Sequence, residues 1–359
     1  MDTAPQRTTL VVIYGGQSAE HDVSCVTAAH VLRAADPHKY NTVAIAIGRD
    51  GAWSTPQLPQ LPTGGTNPTE IPERLTASGE PSSSSAISRL AANGPIVVMP
   101  LLHGPMGEDG TMQGLLELLD LPFVGSGVLA SAVAMDKGMA KNVFSHAGIP
   151  QVRYRVLRED TISPNTLSDV ASDLGFPLFV KPANMGSSVG VTKAHDDAEL
   201  QAAAALAMTY DQWVIFEESV TARELEVAVI GNRSPRASVV GEIKPGKEFY
   251  DYEDKYVSDS ATLMIPAPLT TSESDELRSL AIRAYESLRC EGMARVDFFY
   301  EENGRGFLCN EINTIPGFTP ISMYPKMWEA SGLSYSALID ELIEHARERH
   351  SRRKRNTAR

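Results

Sequence analysis

Four residues near the C-terminal end could share one chemistry. Arg295, Asp297, Glu311 and Asn313 lie in RVDFFYEENGRGFLCNEIN, where two apolar and aromatic runs flank Asn303-Gly304-Arg305. The pattern predicts a β-hairpin with those three residues as its loop. Position 297 then lies opposite 311 and 295 opposite 313, so alternation puts all four side chains on one sheet face. Val296 meets Ile312, and Tyr300 meets Leu308, on the other. A one-residue slip would pair Val296 with Glu311 and spoil both faces. Two carboxylates, an amide oxygen and a guanidinium make a poor core, but they can hold a divalent cation and an anionic reactant. Magnesium takes oxygen ligands, commonly one or two carboxylates plus substrate phosphates. A solvated face with a surface ion pair fits the same spacing, and spacing alone does not separate the two.

Other candidates are scattered along the chain. In LFVKPANMGSSVGV a strand delivers Lys181 ahead of a small-residue loop rich in backbone N–H and hydroxyl donors, Ser187 and Ser188 among them. Such a loop can close over phosphates, with Lys181 as the point charge; a plain hairpin turn is equally compatible. It is not a Walker A sequence, and G-x-G-x-x-G is absent after the first strand. Glu20 opens a helix, where a carboxylate is favoured by the helix dipole or could meet a ligand amine. His103 closes a strand before GPMGEDG; a lone histidine there is weak as a site. Glu217, Glu218 and Glu224 are either solvated charges or acceptors for an adenine amino group and ribose hydroxyls. Residues 249–260 (FYDYEDKYVSDS) are aperiodic, and loops of that length in compact domains are usually functional.

The elements that position these groups read as an α/β chain. A strand over 8–14, a Gly15-Gly16 turn, a helix over 19–35 and a strand over 41–47 begin an α/β layer, in which ligands gather beyond the strands' carboxyl ends. Residues 51–93 are rich in Pro, Gly, Ser and Thr and predict a surface excursion with one short helix at 86–91. A buried strand (95–102), a helix (111–119) and a helix over 130–147 containing Met135-Asp136-Lys137 follow. Next come a strand (152–157), a helix (166–174), the Lys181 hairpin, a helix (198–210), strands over 212–220 and 223–230, and a helix (273–288). After the hairpin of the opening paragraph, a last helix spans 335–347. With 359 residues, 42% apolar and 21% charged, the chain has room for two or three domains and an ample core. A net charge of −13 speaks against a general nucleic-acid binder, and the basic end 347–359 predicts a solvated tail. No apolar run could span a bilayer. Cys25, Cys290 and Cys309 form neither a metal spacing nor a disulfide framework, which fits a reducing cytoplasm.

In order, these motifs resemble the ATP-grasp enzymes and, within them, the D-alanine–D-alanine ligase family. The resemblance is carried by GGQSAEHDVS (15–24), HGPMGEDGTMQG (103–114), MDK (135–137), KPANMGSSVGV (181–191), EESVTARELEV (217–227), YEDKY (252–256), ARVDF (294–298) and NEINTIPGFTPIS (310–322). It covers nearly all of residues 8–350. It implies a three-domain α/β (α+β) architecture: a Rossmann-like domain over 1–128, ATP-grasp subdomains over 129–216 and 217–350, and a tail over 351–359. It implies ATP and two magnesium (or manganese) ions per active site, held by Asp297, Glu311 and Asn313. Lys137, Lys181 and Ser188 would meet the phosphates, with Glu217, Glu218, Val220 and Glu224 around adenine and ribose. Glu20 would bind the ammonium of the first D-alanine, and Ser187 and Tyr256 would join it in a hydrogen-bonded triad. Arg295 and the Gly317 N–H would form an oxyanion site. Ser322 and the Met323 N–H would take the second D-alanine's carboxylate, with Lys255 near that substrate and His103 beside the first.

The activity so implied is ligation of two D-alanines through a D-alanyl phosphate, in peptidoglycan precursor synthesis, by a cytoplasmic homodimer that binds neither nucleic acid nor membrane. A ligase of the same fold making D-alanyl-D-lactate or D-alanyl-D-serine is the alternative; the Lys255-Tyr256 pair speaks against the lactate form. Many relatives carry charged residues before the GSS; here Asn184 and Met185 stand there.

Overall fold

The computed structural model describes residues 7–61, 65–244 and 262–354. The chain opens with β1 (Thr8–Gly15), α1 (His21–Ala34), β2 (Tyr40–Ile47), β3 (Trp53–Thr55), β4 (Glu80–Pro81), α2 (Ser85–Ala91), β5 (Ile96–Pro100) and α3 (Thr111–Leu118). It continues with α4 (Val128–Met135), α5 (Lys137–His146), β6 (Tyr154–Arg158), α6 (Pro164–Leu174), β7 (Leu178–Pro182), β8 (Thr192–Ala194), α7 (Asp197–Ala207) and β9 (Trp213–Glu218). Then come β10 (Arg223–Gly231), β11 (Arg236–Lys244), β12 (Thr262–Met264), α8 (Thr271–Ser287), β13 (Gly292–Glu301), β14 (Gly306–Asn313), α9 (Met323–Ala330) and α10 (Tyr335–Lys354).

Among the described residues the strands form three sheets, ordered β4-β3-β2-β1-β5, β6-β9-β7-β8 and β12-β11-β10-β13-β14. In the first, β1 runs parallel to both β2 and β5. Leu10 to Tyr14 are fully buried, as expected of a parallel strand covered on both faces. The other two sheets are antiparallel throughout. Trp328 of α9 and Leu338 and Leu342 of α10 share one buried cluster with Leu10 and Val12 of β1, so the last helices join the first sheet to the third.

Three sequence expectations need correction. The helix over 130–147 is two helices. Asp136 leaves the helical region (φ −80°, ψ 100°), and its carboxylate caps α5 by accepting from the Met139 N–H at 2.9 Å. Aspartate is favoured at such a cap, and the break puts Lys137 on the first turn of α5. The 51–93 excursion adds β3 and β4 to the edge of the first sheet and buries Ile71 and Leu75 in the core. Strands of two or three residues carry no readable period. Finally, the basic end is not a free tail, because α10 runs on to Lys354. Arg349 is only 4% exposed, with its guanidinium 3.8 Å from the centre of the Phe123 ring. Arg352 pairs with Glu291, and Arg353 with Glu117, each at 2.5 Å.

Candidate active site

The β13–β14 hairpin carries the candidate metal face in the expected register. Arg295 opposes Asn313, Val296 opposes Ile312 and Asp297 opposes Glu311. The register then shifts, and Tyr300 opposes Phe307 rather than Leu308, with stacked rings 4.3 Å apart. The cause is a bulge: Phe298 pairs with Cys309, which leaves Asn310 as the extra residue, and the turn takes four residues, 302–305, instead of three. The bulge re-aims the strand next to the polar face without disturbing the four residues on it.

On that face Arg295 holds Asp297 in a two-pronged ion pair, Nε to Oδ1 and Nη2 to Oδ2, each at 2.7 Å. Asn313 donates its amide to Asp297 Oδ2 at 3.0 Å. Glu226, opposite Asp297 on β10, brings a second carboxylate to Arg295 at 3.1 Å. Burial disfavours the guanidinium charge, but Asp297 and Glu226 outweigh it and keep Arg295 firmly protonated. Glu226 is a site residue that the sequence pattern does not single out. Its partner becomes visible only once β10 is known to pair with β13.

These residues line a cavity of about 900 Å³, together with Glu20, His103, Lys137, Lys181, Ser187, Ser188, Val220 and Ser322. Lys137 Nζ donates to the Met185 carbonyl at 2.6 Å and lies 3.6 Å from Glu311. Lys181, on β7, donates to Glu217 Oε2 at 2.5 Å. The other Glu217 oxygen faces the Lys141 ammonium at 3.0 Å, with Lys141 1% exposed. Burial alone would push the Glu217 carboxyl up; Lys141 and Lys181 overcome it and hold the group down at about 2. Lys141 was missed in the sequence. It lies four residues after Lys137, on the same side of α5, and that spacing was its one signal.

The Glu20 carboxylate sits between two glycine-containing loops. It accepts a hydrogen bond from the Ser187 hydroxyl. A Cβ on Gly186 would lie 2.5 Å from Glu20 Oε2, and one on Gly104, where φ is +75°, would lie 2.8 Å from the same oxygen. A Cβ at either position would push the Glu20 carboxylate aside, and the left-handed φ of Gly104 favours glycine in addition. Ser187 and Ser188 are themselves left-handed (φ 49° and 59°), a strain that clusters at ligand-binding loops. His103 is buried behind Glu20. Its Nδ1 lies 3.1 Å from the Ile315 carbonyl and so carries the proton, and its Nε2 faces the Thr27 hydroxyl at 3.4 Å. Burial pushes its pKa down, so the ring is neutral. Glu108 was also missed: it accepts from the Gly104 N–H at 2.7 Å, and burial, reinforced by Glu20, pushes its carboxyl up to about 8.

At the cavity's far end Ser322 precedes the first turn of α9, which begins at Met323. The Ser322 hydroxyl accepts from the Thr319 N–H at 2.9 Å, and a Cβ on Gly317 would come within 2.8 Å of it. Glu218 and Glu224 also line the cavity. The Glu218 carboxylate, however, is taken up by Arg153 at 2.8 Å and Arg305 at 2.6 Å. Lys255 and Tyr256 lie outside the described residues.

The donor set suits a hard divalent cation. Among the described residues no group of three or more His, Cys, Asp and Glu side chains could hold a metal by itself. Two carboxylates and one carboxamide lining an open cavity are the partial shell that magnesium completes with phosphates and water.

Two family models match. One, described as D-ala D-ala ligase N-terminus, matches residues 9–126, and one described as D-ala D-ala ligase C-terminus matches residues 143–344. The chain belongs to the D-alanine–D-alanine ligase family. The D-alanine–D-alanine ligase of Solibacter usitatus (strain Ellin6076) is 48% identical over 342 residues, covering 95% of this chain and 96% of that one. That of Geobacillus thermodenitrificans (strain NG80-2) is 45% identical over 355 residues, with 96% of each covered. Among solved structures, the D-alanine-D-alanine ligase of Coxiella burnetii superposes with a TM-score of 0.79 at 33% identity, covering 97% of this chain and 98% of that one. The VanG D-Ala:D-Ser ligase of Enterococcus faecalis superposes at 0.81, also at 33% identity, covering 95% and 100%. The ATP-grasp fold expected from the motifs is thereby established. Among the described residues no helix is long and apolar enough to cross a membrane.

Proposed function

We propose that this chain joins two D-alanines into D-alanyl-D-alanine at the expense of ATP, releasing ADP and phosphate, for peptidoglycan precursor synthesis. The observation that carries this reading is the convergence on one cavity of Glu20, the Lys137 and Lys181 cations, the Arg295 guanidinium and the Asp297–Glu311–Asn313 face. A carboxylate is a poor acylating agent. Phosphorylation makes the first D-alanine's carbonyl attackable: its carboxylate oxygen bonds to the γ-phosphorus as the bond to ADP breaks. The amine of the second D-alanine then attacks the carbonyl carbon, loses a proton, and phosphate departs.

The chain's residues take these parts. Glu20, oriented by Ser187, binds the ammonium of the first D-alanine. Lys137, Lys181 and the Ser188 N–H meet the phosphates, and phosphoryl transfer is then mostly a matter of positioning and charge neutralisation. Asp297, Glu311 and Asn313 hold the divalent cation, read here as two magnesium or manganese ions, which supplies further neutralisation. Glu217 faces the adenine amine, while Val220, Glu218 and Glu224 surround adenine and ribose. Arg295 and the Gly317 N–H face the oxyanion of the tetrahedral intermediate. Ser322 and the Met323 N–H take the second carboxylate, and neutral His103 packs beside the first substrate. Excluding water protects the acyl phosphate; Lys255 and Tyr256, which the resemblance assigns to the second substrate and to the triad with Glu20 and Ser187, lie outside the described residues. The domain boundaries are those read from the sequence, and the working assembly is a cytoplasmic homodimer.

The test is phosphate release with ATP, a divalent cation and D-alanine, with each omitted in turn. Release that requires all three supports the reading; release without D-alanine, or none, overturns it. The likeness to a D-Ala:D-Ser ligase favours one second reading, D-serine as the acceptor. Product mass with D-alanine, D-serine and D-lactate in competition decides between the acceptors.

A further inference from the structure

Lys141 takes no part in the chemistry above, yet it is the most completely buried ammonium near the cavity, at 1% exposure. Removing a lysine ammonium from water is unfavourable unless something compensates, and the compensation here is Glu217, 3.0 Å away and 3% exposed. Two cations share this carboxylate, since Lys181 donates to its other oxygen at 2.5 Å. The Tyr154 ring centre lies 5.6 Å from Lys141 Nζ, and Gln151 donates to the Lys141 backbone carbonyl at 3.0 Å. Lys141 Nζ lies 3.0 Å from Glu217 Oε1, the distance of a charge-assisted contact, so each Glu217 oxygen faces one ammonium. Lys137 and Lys141 stand one turn apart on α5. The first reaches the cavity rim, 15% exposed; the second lies beneath Glu217.

Lys141, Lys181 and Glu217 together carry one net positive charge, which suits a polyphosphate. They also leave Glu217 a partner once Lys181 is drawn to that polyphosphate. We propose that Lys141 is a positioning residue for nucleotide recognition: it fixes the Glu217 carboxylate as acceptor for an exocyclic amine on the base and remains its counter-charge when Lys181 turns to the phosphates. This rests on the reading of Glu217 given under the proposed function. Without Lys141, Lys181 is the sole counter-ion of a buried carboxylate and is held back from the phosphates. Base discrimination and ATP affinity then fall together, while the groups at the reacting carbonyl stay in place.

The experiment compares wild type, Lys141→Met, Lys141→Arg and Glu217→Gln as full-length enzymes, with ATP and with inosine triphosphate, which carries a carbonyl where adenine has its amine. Lys141→Met raises KM for ATP by a larger factor than it lowers kcat. It cuts the ATP-over-inosine preference by about ten- to a hundredfold, the value of a hydrogen bond to a charged group, and Lys141→Arg restores part of that preference. A Lys141→Met enzyme with wild-type KM and wild-type preference overturns the inference. If Glu217→Gln keeps the wild-type preference, the fault lies one step earlier, in the reading of Glu217 itself. If Lys141→Met does not fold, the double variant Lys141→Met/Glu217→Gln replaces it, since its buried carboxylate is gone. It is expected to match Glu217→Gln in base preference, and a further drop of tenfold or more overturns the inference.

Discussion

Glu20 and Ser187, 167 residues apart in sequence, share a hydrogen bond that ties the start of α1 to the loop after β7. The contact joins the first sheet's ligand end to the small-residue loop of the second sheet. Gly104 and Gly186 present no side chain that would push the carboxylate aside. Replacing Ser187 by alanine removes one hydrogen bond to a charged group. We expect KM for D-alanine to rise by about ten- to a hundredfold with little change in thermal stability. Gly186→Ala leaves every functional group in place but sets a methyl 2.5 Å from Glu20 Oε2, so it should impair D-alanine binding at least as severely. Initial rates against D-alanine concentration check both; wild-type KM in Gly186→Ala would mean that the loop does not sit on Glu20 during turnover.

Asp297→Asn and Glu311→Gln test the hairpin face. Both are near-isosteric and half-buried, so folding should survive and phosphate release should be lost. Arg295 keeps Glu226 as a partner in the first variant, and Lys137 keeps the Met185 carbonyl in the second. Calorimetric titration with magnesium and ATP should show weakened metal-dependent binding in each. Near-wild-type turnover at limiting magnesium would remove these carboxylates from the metal site.

Arg295→Ala should lower kcat by about a hundred- to a thousandfold, the usual effect of losing one oxyanion donor, and change KM for ATP by much less. The variant also takes the Arg295 contact from Glu226, whose side chain is 8% exposed, and removes the two-pronged partner of Asp297, so it should lose stability. Arg295→Ala/Glu226→Gln should regain stability without regaining kcat. An effect confined to KM for ATP would move Arg295 out of the oxyanion role.

How far the site could be read beforehand depended on whether its partners were local. Arg295, Asp297, Glu311 and Asn313 were placed on one face by alternation across a short hairpin, and that register held. The bulge at Asn310 moved the pairing by one residue, so Tyr300 meets Phe307 rather than Leu308; the consecutive polar residues Asn310 and Glu311, which break the alternation, were its one mark in the sequence. Glu226 and Lys141 acquire meaning only from β10–β13 pairing and from the approach of α5 to β9, which are tertiary facts. The break at Asp136 was legible in principle, since an aspartate three residues before the N–H it caps is an ordinary helix start. Helix-forming residues on both sides of it, Ala130 to Met135 and Met139 to Ala147, hid the signal. Arg349 reads as part of a basic tail because nothing in its neighbourhood announces Phe123, 226 residues earlier.

Glu217 gives a pH dependence with a definite sign. Its carboxyl, ordinarily at 4.5, is held at about 2 in the folded chain by Lys141 and Lys181 against the effect of burial. A carboxyl depressed by folding contributes stability that is fully present above the unfolded value and is lost as pH falls through the folded one. The relevant window therefore runs from about 4.5 down to about 2. Glu217→Gln should be less stable than wild type at pH 7, since it leaves two buried ammonium groups facing a neutral amide. The gap should narrow as pH falls through that window, because protonated Glu217 then behaves as the amide does. Denaturant midpoints of the two proteins at pH 7, 5, 4 and 3 measure it. A gap that stays constant across this range would mean that Glu217 is not held ionised by its lysines, and the charge arrangement beneath the nucleotide site would have to be redrawn.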